Sequence, residues 1–314
     1  MTQPVAVEQD EIFAVGYRKL PAERSRRWAP WPIARTALAL ALRKRSTKIA
    51  GAVCGMVVFG AAMALVTQVI IGRVSESVAQ QGMGSMVGAA AKAVVGDTHE
   101  VLSSFIGSQL FFTAILLGTA LGGLIADDRR TGAFELYFSR PLSRMDYAIG
   151  KLLAAAIVPA TTIVLPFFLL WLGVVGTAPA GVSDELIGLV VPGLVTSLMA
   201  TALLTTTIVG VSSVGERGRT VAVLYITLFV LLAGVGNGLS NAGYAWAGYL
   251  APQQDLQTVA DELLGVGGIS MTASYLELRN ATNASAWLSA LALLGFTAAG
   301  LGVFFVQLRK RVVG

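Results

Sequence analysis

Six apolar runs without one Asp, Glu, Lys, Arg or His dominate this 314-residue chain, at residues 49–71, 102–126, 152–175, 186–214, 220–238 and 286–306. Each holds about twenty residues or more, and at a rise of about 1.5 Å per residue such a helix crosses a hydrocarbon core of about 30 Å. Lipid offers no hydrogen bonds to a backbone, and no strand-like alternation is visible, so each run is expected to be a helix. The expected fold class is therefore an all-α polytopic membrane protein with six transmembrane helices. An apolar fraction of 55% against 13% charged residues excludes an ordinary soluble domain.

Basic residues set the expected orientation, because Lys and Arg accumulate in short cytoplasmic segments. Of 23 Lys and Arg, all but Arg73, Lys92 and Arg279 fall on one side if the six runs alternate. Both termini are thus expected in the cytoplasm, and the basic balance faces anionic lipid and needs no nucleic-acid partner. The expected organisation is an N-terminal arm at 1–48, a membrane domain at 49–306, a cytoplasmic loop at 127–151, a long outer loop at 239–285 and a tail at 307–314. Within the arm, 31–42 reads as an interfacial helix or a juxtamembrane extension, with Ile33, Ala37 and Leu40 on one side. No secretory signal is expected, since acidic residues precede the first run.

The spans offer little chemistry. Proton or ion coupling normally needs ionisable groups at membrane depth, and the six runs have none. His99 near Asp97 and Glu100 is a poor metal set, better read as a solvated loop, and Cys54 reads as a packing residue. No GxxxxGK phosphate loop occurs, so the chain is not expected to hydrolyse ATP or to bind a cofactor itself. On the fourth run, Ser197, Thr201 and Thr205 form one hydroxyl stripe, a candidate pathway or packing feature whose favoured reading is back-bonding to its own helix. Pro159 and Pro166 are expected to kink the third span. Gly118 with Gly122, and Gly51 with Gly55, have the spacing that lets helices approach closely.

The loop DDRRTGAFELYFSRPLSRMDYAIGK at 127–151 is the one long polar segment held between two spans on the basic side. Thr131 and Gly132 can end one helix and start another, and Ala133, Phe134, Glu135, Leu136, Tyr137 and Phe138 then form a short helix that Pro141 breaks. Ser143 with Asp146 has capping-box spacing, and Lys151 is expected near the headgroups. So apolar a short helix in the cytoplasm needs a cover, either a groove on another protein or the lipid interface and bundle.

This loop resembles the membrane subunits of ABC-2-type ABC transporters. The resemblance rests on Asp128 with Arg129, Thr131 with Gly132, the short helix from Ala133, Arg140 with Pro141, Ser143 with Arg144, and Gly150 with Lys151. The family commonly has Glu where Asp128 stands. Six spans, the short GERGR loop and the long outer loop before the last span are similar as well. The resemblance implies a type V exporter-like topology in a bacterial inner membrane, and a coupling helix seated in a separate ATPase subunit that binds ATP and Mg. It also implies a second permease copy, as a homodimer, with the route near the second and fifth spans. A membrane-anchored scaffold and a secondary transporter remain the alternatives.

Overall fold

The computed structural model describes residues 30–79, 98–133, 143–177, 183–266 and 285–312. Among these the chain is almost wholly helical and holds no strand. In order come α1 (Pro30–Arg43), α2 (Arg45–Ala79), α3 (Thr98–Leu121), α4 (Gly123–Arg130), α5 (Arg144–Pro159), a π-helical turn (Ala160–Val164), α6 (Leu165–Thr177), α7 (Ser183–Gly188), α8 (Val190–Val214) and α9 (Gly218–Asn241). A 3-10 turn (Ala245–Leu250), α10 (Pro252–Leu263) and α11 (Ala286–Val312) complete the order.

Six of these stretches are long and apolar enough to cross a membrane: Arg45–Ile71, Thr98–Arg130, Arg144–Thr177, Leu186–Val214, Gly218–Asn241 and Ala286–Lys310. Each contains one of the six charge-free runs. The second is the most enclosed, and the first, third, fourth and fifth all pack around it. Spans four and six form the closest pair, backbone to backbone at Gly210 and Gly300.

The third span shows how a proline is accommodated at membrane depth. Pro166 has no N–H for the carbonyl of Thr162, and the Gln109 side chain of the second span donates to that oxygen at 2.9 Å. Thr113 and Thr162 add a hydroxyl pair at 3.0 Å. The helix widens into the π turn between the two prolines, one irregular segment where two kinks are expected from the sequence.

Helix α1 packs on the start of the third span, where Gly150 leaves room for Pro30 and Ile33. Its buried face is Pro30, Ile33, Ala34 and Ala41, whereas Leu40, expected on that side, is 63% exposed. Small residues win this face because they bring the helix backbone close to Gly150.

Helix α10, in the 239–285 connection that is expected from sequence to be an outer loop, packs against spans two, four and six. Two of its polar residues find partners there. Ser103 donates to Asp261 at 2.5 Å and Gln257 donates to Ser103 at 2.8 Å. His99 likewise lies on the first turn of the second span, not in a solvated loop, with Nδ1 2.6 Å from the Leu264 carbonyl.

Candidate functional site

The loop at 127–151 hangs from two helix ends, and both are closed by their own side chains. At the end of the second span, the Thr131 hydroxyl and N–H both donate to the Asp127 carbonyl, at 2.9 and 3.0 Å. Gly132 follows at φ +68°, the left-handed conformation that glycine adopts without a Cβ penalty. Thr131 therefore finishes the preceding helix. The third span starts at Ser143, whose Oγ accepts the Asp146 N–H at 3.0 Å while the Asp146 carboxylate accepts the Ser143 N–H at 3.1 Å. That reciprocal pair is a capping box.

Between these ends lies an ionic clasp. The Asp128 carboxylate is 2.6 Å from the Lys151 ammonium and accepts the Tyr147 hydroxyl at 2.9 Å on the same oxygen. Lys151 also donates to the Leu124 carbonyl at 2.8 Å and lies 5.4 Å from the centre of the Tyr147 ring. Headgroup contact, expected for this lysine from the sequence, is not its role: Lys151 is 4% exposed and turned inward. The carboxylate, a carbonyl and an aromatic face together replace the water it gives up.

Arg129 faces the other way. One of its guanidinium nitrogens lies 2.8, 2.9 and 2.8 Å from the carbonyls of Ser213, Val214 and Gly215. These are terminal acceptors of the fourth span, and a cation there also complements the helix dipole. Adjacent Asp128 and Arg129 thus fasten the second span to the third and to the fourth.

Deeper by one turn, the Ser212 hydroxyl is wedged into the backbone ladder of the second span. It donates to the Gly122 carbonyl at 2.9 Å and accepts the Ile125 N–H at 3.0 Å. Such an insertion accounts for the interruption between α3 and α4. Lys44 donates to the neighbouring Ala120 carbonyl at 3.1 Å. At the same level the second span touches the start of the fifth almost backbone to backbone. A Cβ on Gly122 would lie 2.8 Å from the Gly218 carbonyl oxygen. The Gly118 and Gly122 face is therefore used inside the chain, against Ala222 and Ile226, whereas Gly51 and Gly55 face open space.

Of the residues singled out from sequence, Asp128, Arg129, Thr131, Gly132 and Ser143 gather at this neck. Ala133 ends the described part of the second stem, and Arg144 is exposed on the first turn of the third span. Phe134, Glu135, Leu136, Tyr137, Phe138, Arg140 and Pro141 lie outside the described residues. Tyr147, Ser212, Gly218 and Lys44 were not singled out. Only Tyr147 carried a usable signal, one helical turn before Lys151.

The hydroxyl stripe is buried. Thr201 bonds back to the Ser197 carbonyl at 2.9 Å as expected, while the Ser197 and Thr205 hydroxyls have no partner among the described residues. One acid also lies inside the bundle, although none was expected there. Asp255 on α10 is 2% exposed, and burial pushes its carboxyl up to about 7, with Ser289 beside it opposing the shift.

A family model described as "ABC-2 family transporter protein" matches residues 31–311. No curated protein matches the chain.

Proposed function

This chain belongs to the ABC-2 family of transporter proteins, and from that premise we propose that it is the permease subunit of an ATP-driven exporter. The family's membrane domains are not themselves ATPases and generally pair with ABC ATPase subunits. In the proposed assembly two copies of the chain carry two ATPase subunits in a bacterial inner membrane, with both termini cytoplasmic. ATP and Mg bind the partner. The residues from Asp128 to Arg144 are the docking loop, and Phe134 to Phe138 seat in the ATPase.

The observation that supports this reading best is the neck. A loop that transmits movement must be fastened to the spans it moves. Asp128 reaches the third span and Arg129 the fourth, so the two stems and the fourth span are one bonded unit. ATP-driven closure of the partners would then shift the spans between two arrangements.

The test is purification of the tagged full-length chain from its native membranes, with measurement of ATP hydrolysis in the recovered complex. The expected result is recovery of a subunit carrying a GxxxxGK motif, with hydrolysis abolished when that lysine is replaced. Phe134→Arg and Glu135→Arg are expected to lose the subunit while the membrane domain stays folded. Recovery of the chain with no ATPase, or variants that retain it fully, would refute the assignment.

A further inference from the structure

We propose that the cleft between the first and fifth spans, at the basic end of the bundle, binds the phosphate-bearing headgroup of an anionic membrane lipid. The inference goes beyond the transport reading and does not depend on an ATPase partner. The cleft has a volume of about 950 Å³, and the second span forms its floor. Spans one and five pack on either side of that floor and have no extensive contact with each other.

Cations from three separate segments converge on it. Lys44 comes from the junction of α1 and α2, Arg130 from the end of the second span, and Arg217 with Arg219 from the start of the fifth. A single carboxylate, Asp127, lies among them, folded back over Gly123. Arg130, Arg217 and Arg219 are exposed and form no ion pair among the described residues, whereas Arg129 beside them is turned onto the carbonyls that end the fourth span. Cations that served only to orient the spans would have no need to share a cavity. Guanidinium groups present paired donors that fit phosphate oxygens.

The shape of the cleft favours a lipid over free phosphate. Its floor and wall continue from the charged mouth to Thr119, Ala222 and Val223, inside the apolar segments. Val223 is 67% exposed, and Ile49, about one turn beyond Lys44 on the opposite bank, is 68% exposed. Acyl chains of a headgroup held by the arginines would therefore lie against apolar side chains at the depth of the surrounding lipid.

Native mass spectrometry of the purified full-length chain tests this, with phosphatidylglycerol titrated against phosphatidylcholine of identical acyl chains. The wild type is expected to prefer the anionic lipid by roughly tenfold, and the triple variant R130Q/R217Q/R219Q to lose that preference. The control R309Q/K310Q is expected to keep it. Graded losses in the three single variants serve the same purpose if the triple variant unfolds. A wild type without preference, or a triple variant that retains it, overturns the proposal. Displacement of the lipid by an equal concentration of inorganic phosphate overturns the lipid assignment in favour of a soluble phosphate ligand.

Discussion

The clasp at the neck makes a quantitative prediction, because its two partners are unequally buried. Asp128→Asn removes the only carboxylate bonded to Lys151 among the described residues and leaves an ammonium whose side chain is 5% exposed, held by one carbonyl and the Tyr147 ring. Removal of one partner of a buried ion pair costs about 3–5 kcal/mol, because the remaining charge is uncompensated. Lys151→Met leaves Asp128 at 18% side-chain exposure and still bonded to the Tyr147 hydroxyl, so its cost is expected to be smaller, about 1–3 kcal/mol. The double variant D128N/K151M leaves no charge in the clasp and is expected to be less destabilised than D128N alone. Cys54, the sole cysteine, is 1% exposed, and its reaction with a thiol-specific fluorophore during heating in detergent reports unfolding without an added label. Purely additive costs across the four proteins would refute the reasoning, since the two groups would then not interact.

Arg129→Gln takes the charged cap from the last carbonyls of the fourth span and is expected to cost about 1.5–3 kcal/mol in the same thiol assay. Gly122→Ala forces the second and fifth spans apart and is expected to cost about 1–3 kcal/mol, whereas Gly51→Ala, in open space, should be close to neutral. Asp255 gives a pH signature. Its folded-state value of about 7 lies above its ordinary 3.8, so its contribution favours the folded state fully below about pH 4 and is lost as pH rises through 7. The span of that change is about 4 kcal/mol. The groups on packed elements near α10 are His99, Glu100 and Tyr249, with Asp261 and Glu262 on the helix itself. Melting temperature measured from pH 5 to 8 should fall for the wild type, and the fall should be absent in Asp255→Asn. Equal slopes for the two proteins would show that Asp255 is not the group responsible.

The spans were legible because lipid imposes a length and forbids unpaired charge, and both rules can be read from the chain. Their ends were less legible for the same reason. The charge-free runs stop before Asp127 and begin after Lys151, yet the helices reach on to Arg130 and back to Arg144, and Asp128 and Lys151 neutralise each other between them. The capping box at Ser143 was visible from spacing alone because it is local. Arg129 on the fourth span and Ser212 in the second span's ladder join residues more than 80 positions apart, and no local pattern announces such a pairing. Helix α10 was legible as a polar, helix-compatible stretch but its packing was not, because Ser103, more than 150 positions away, supplies the partner for Asp261 and Gln257. The glycine pair at Gly118 and Gly122 shows the converse, where spacing revealed a close approach without saying that the neighbour is the chain's own fifth span.

Under the proposed function, the positions of stiff and compliant segments matter as much as the docking loop. The bonds of Lys151, Arg129 and Ser212 at the neck each run from a side chain of one segment to a carbonyl or carboxylate of another, so displacement of the loop would carry the ends of spans two, three and four together. The close contact of Gly122 with Gly218 adds the start of the fifth. Compliance lies further along, where the third span passes through the π turn at Ala160–Val164 and its helix ladder is completed by a side chain, Gln109. A helix whose bond at that point comes from a neighbour can bend there at lower cost than one closed on itself. A rigid neck below a bendable midpoint is the arrangement a lever requires. Under this reading, changes at Asp128 or Arg129 affect how much of a stroke reaches the spans, and changes at Gln109 affect where the third span bends.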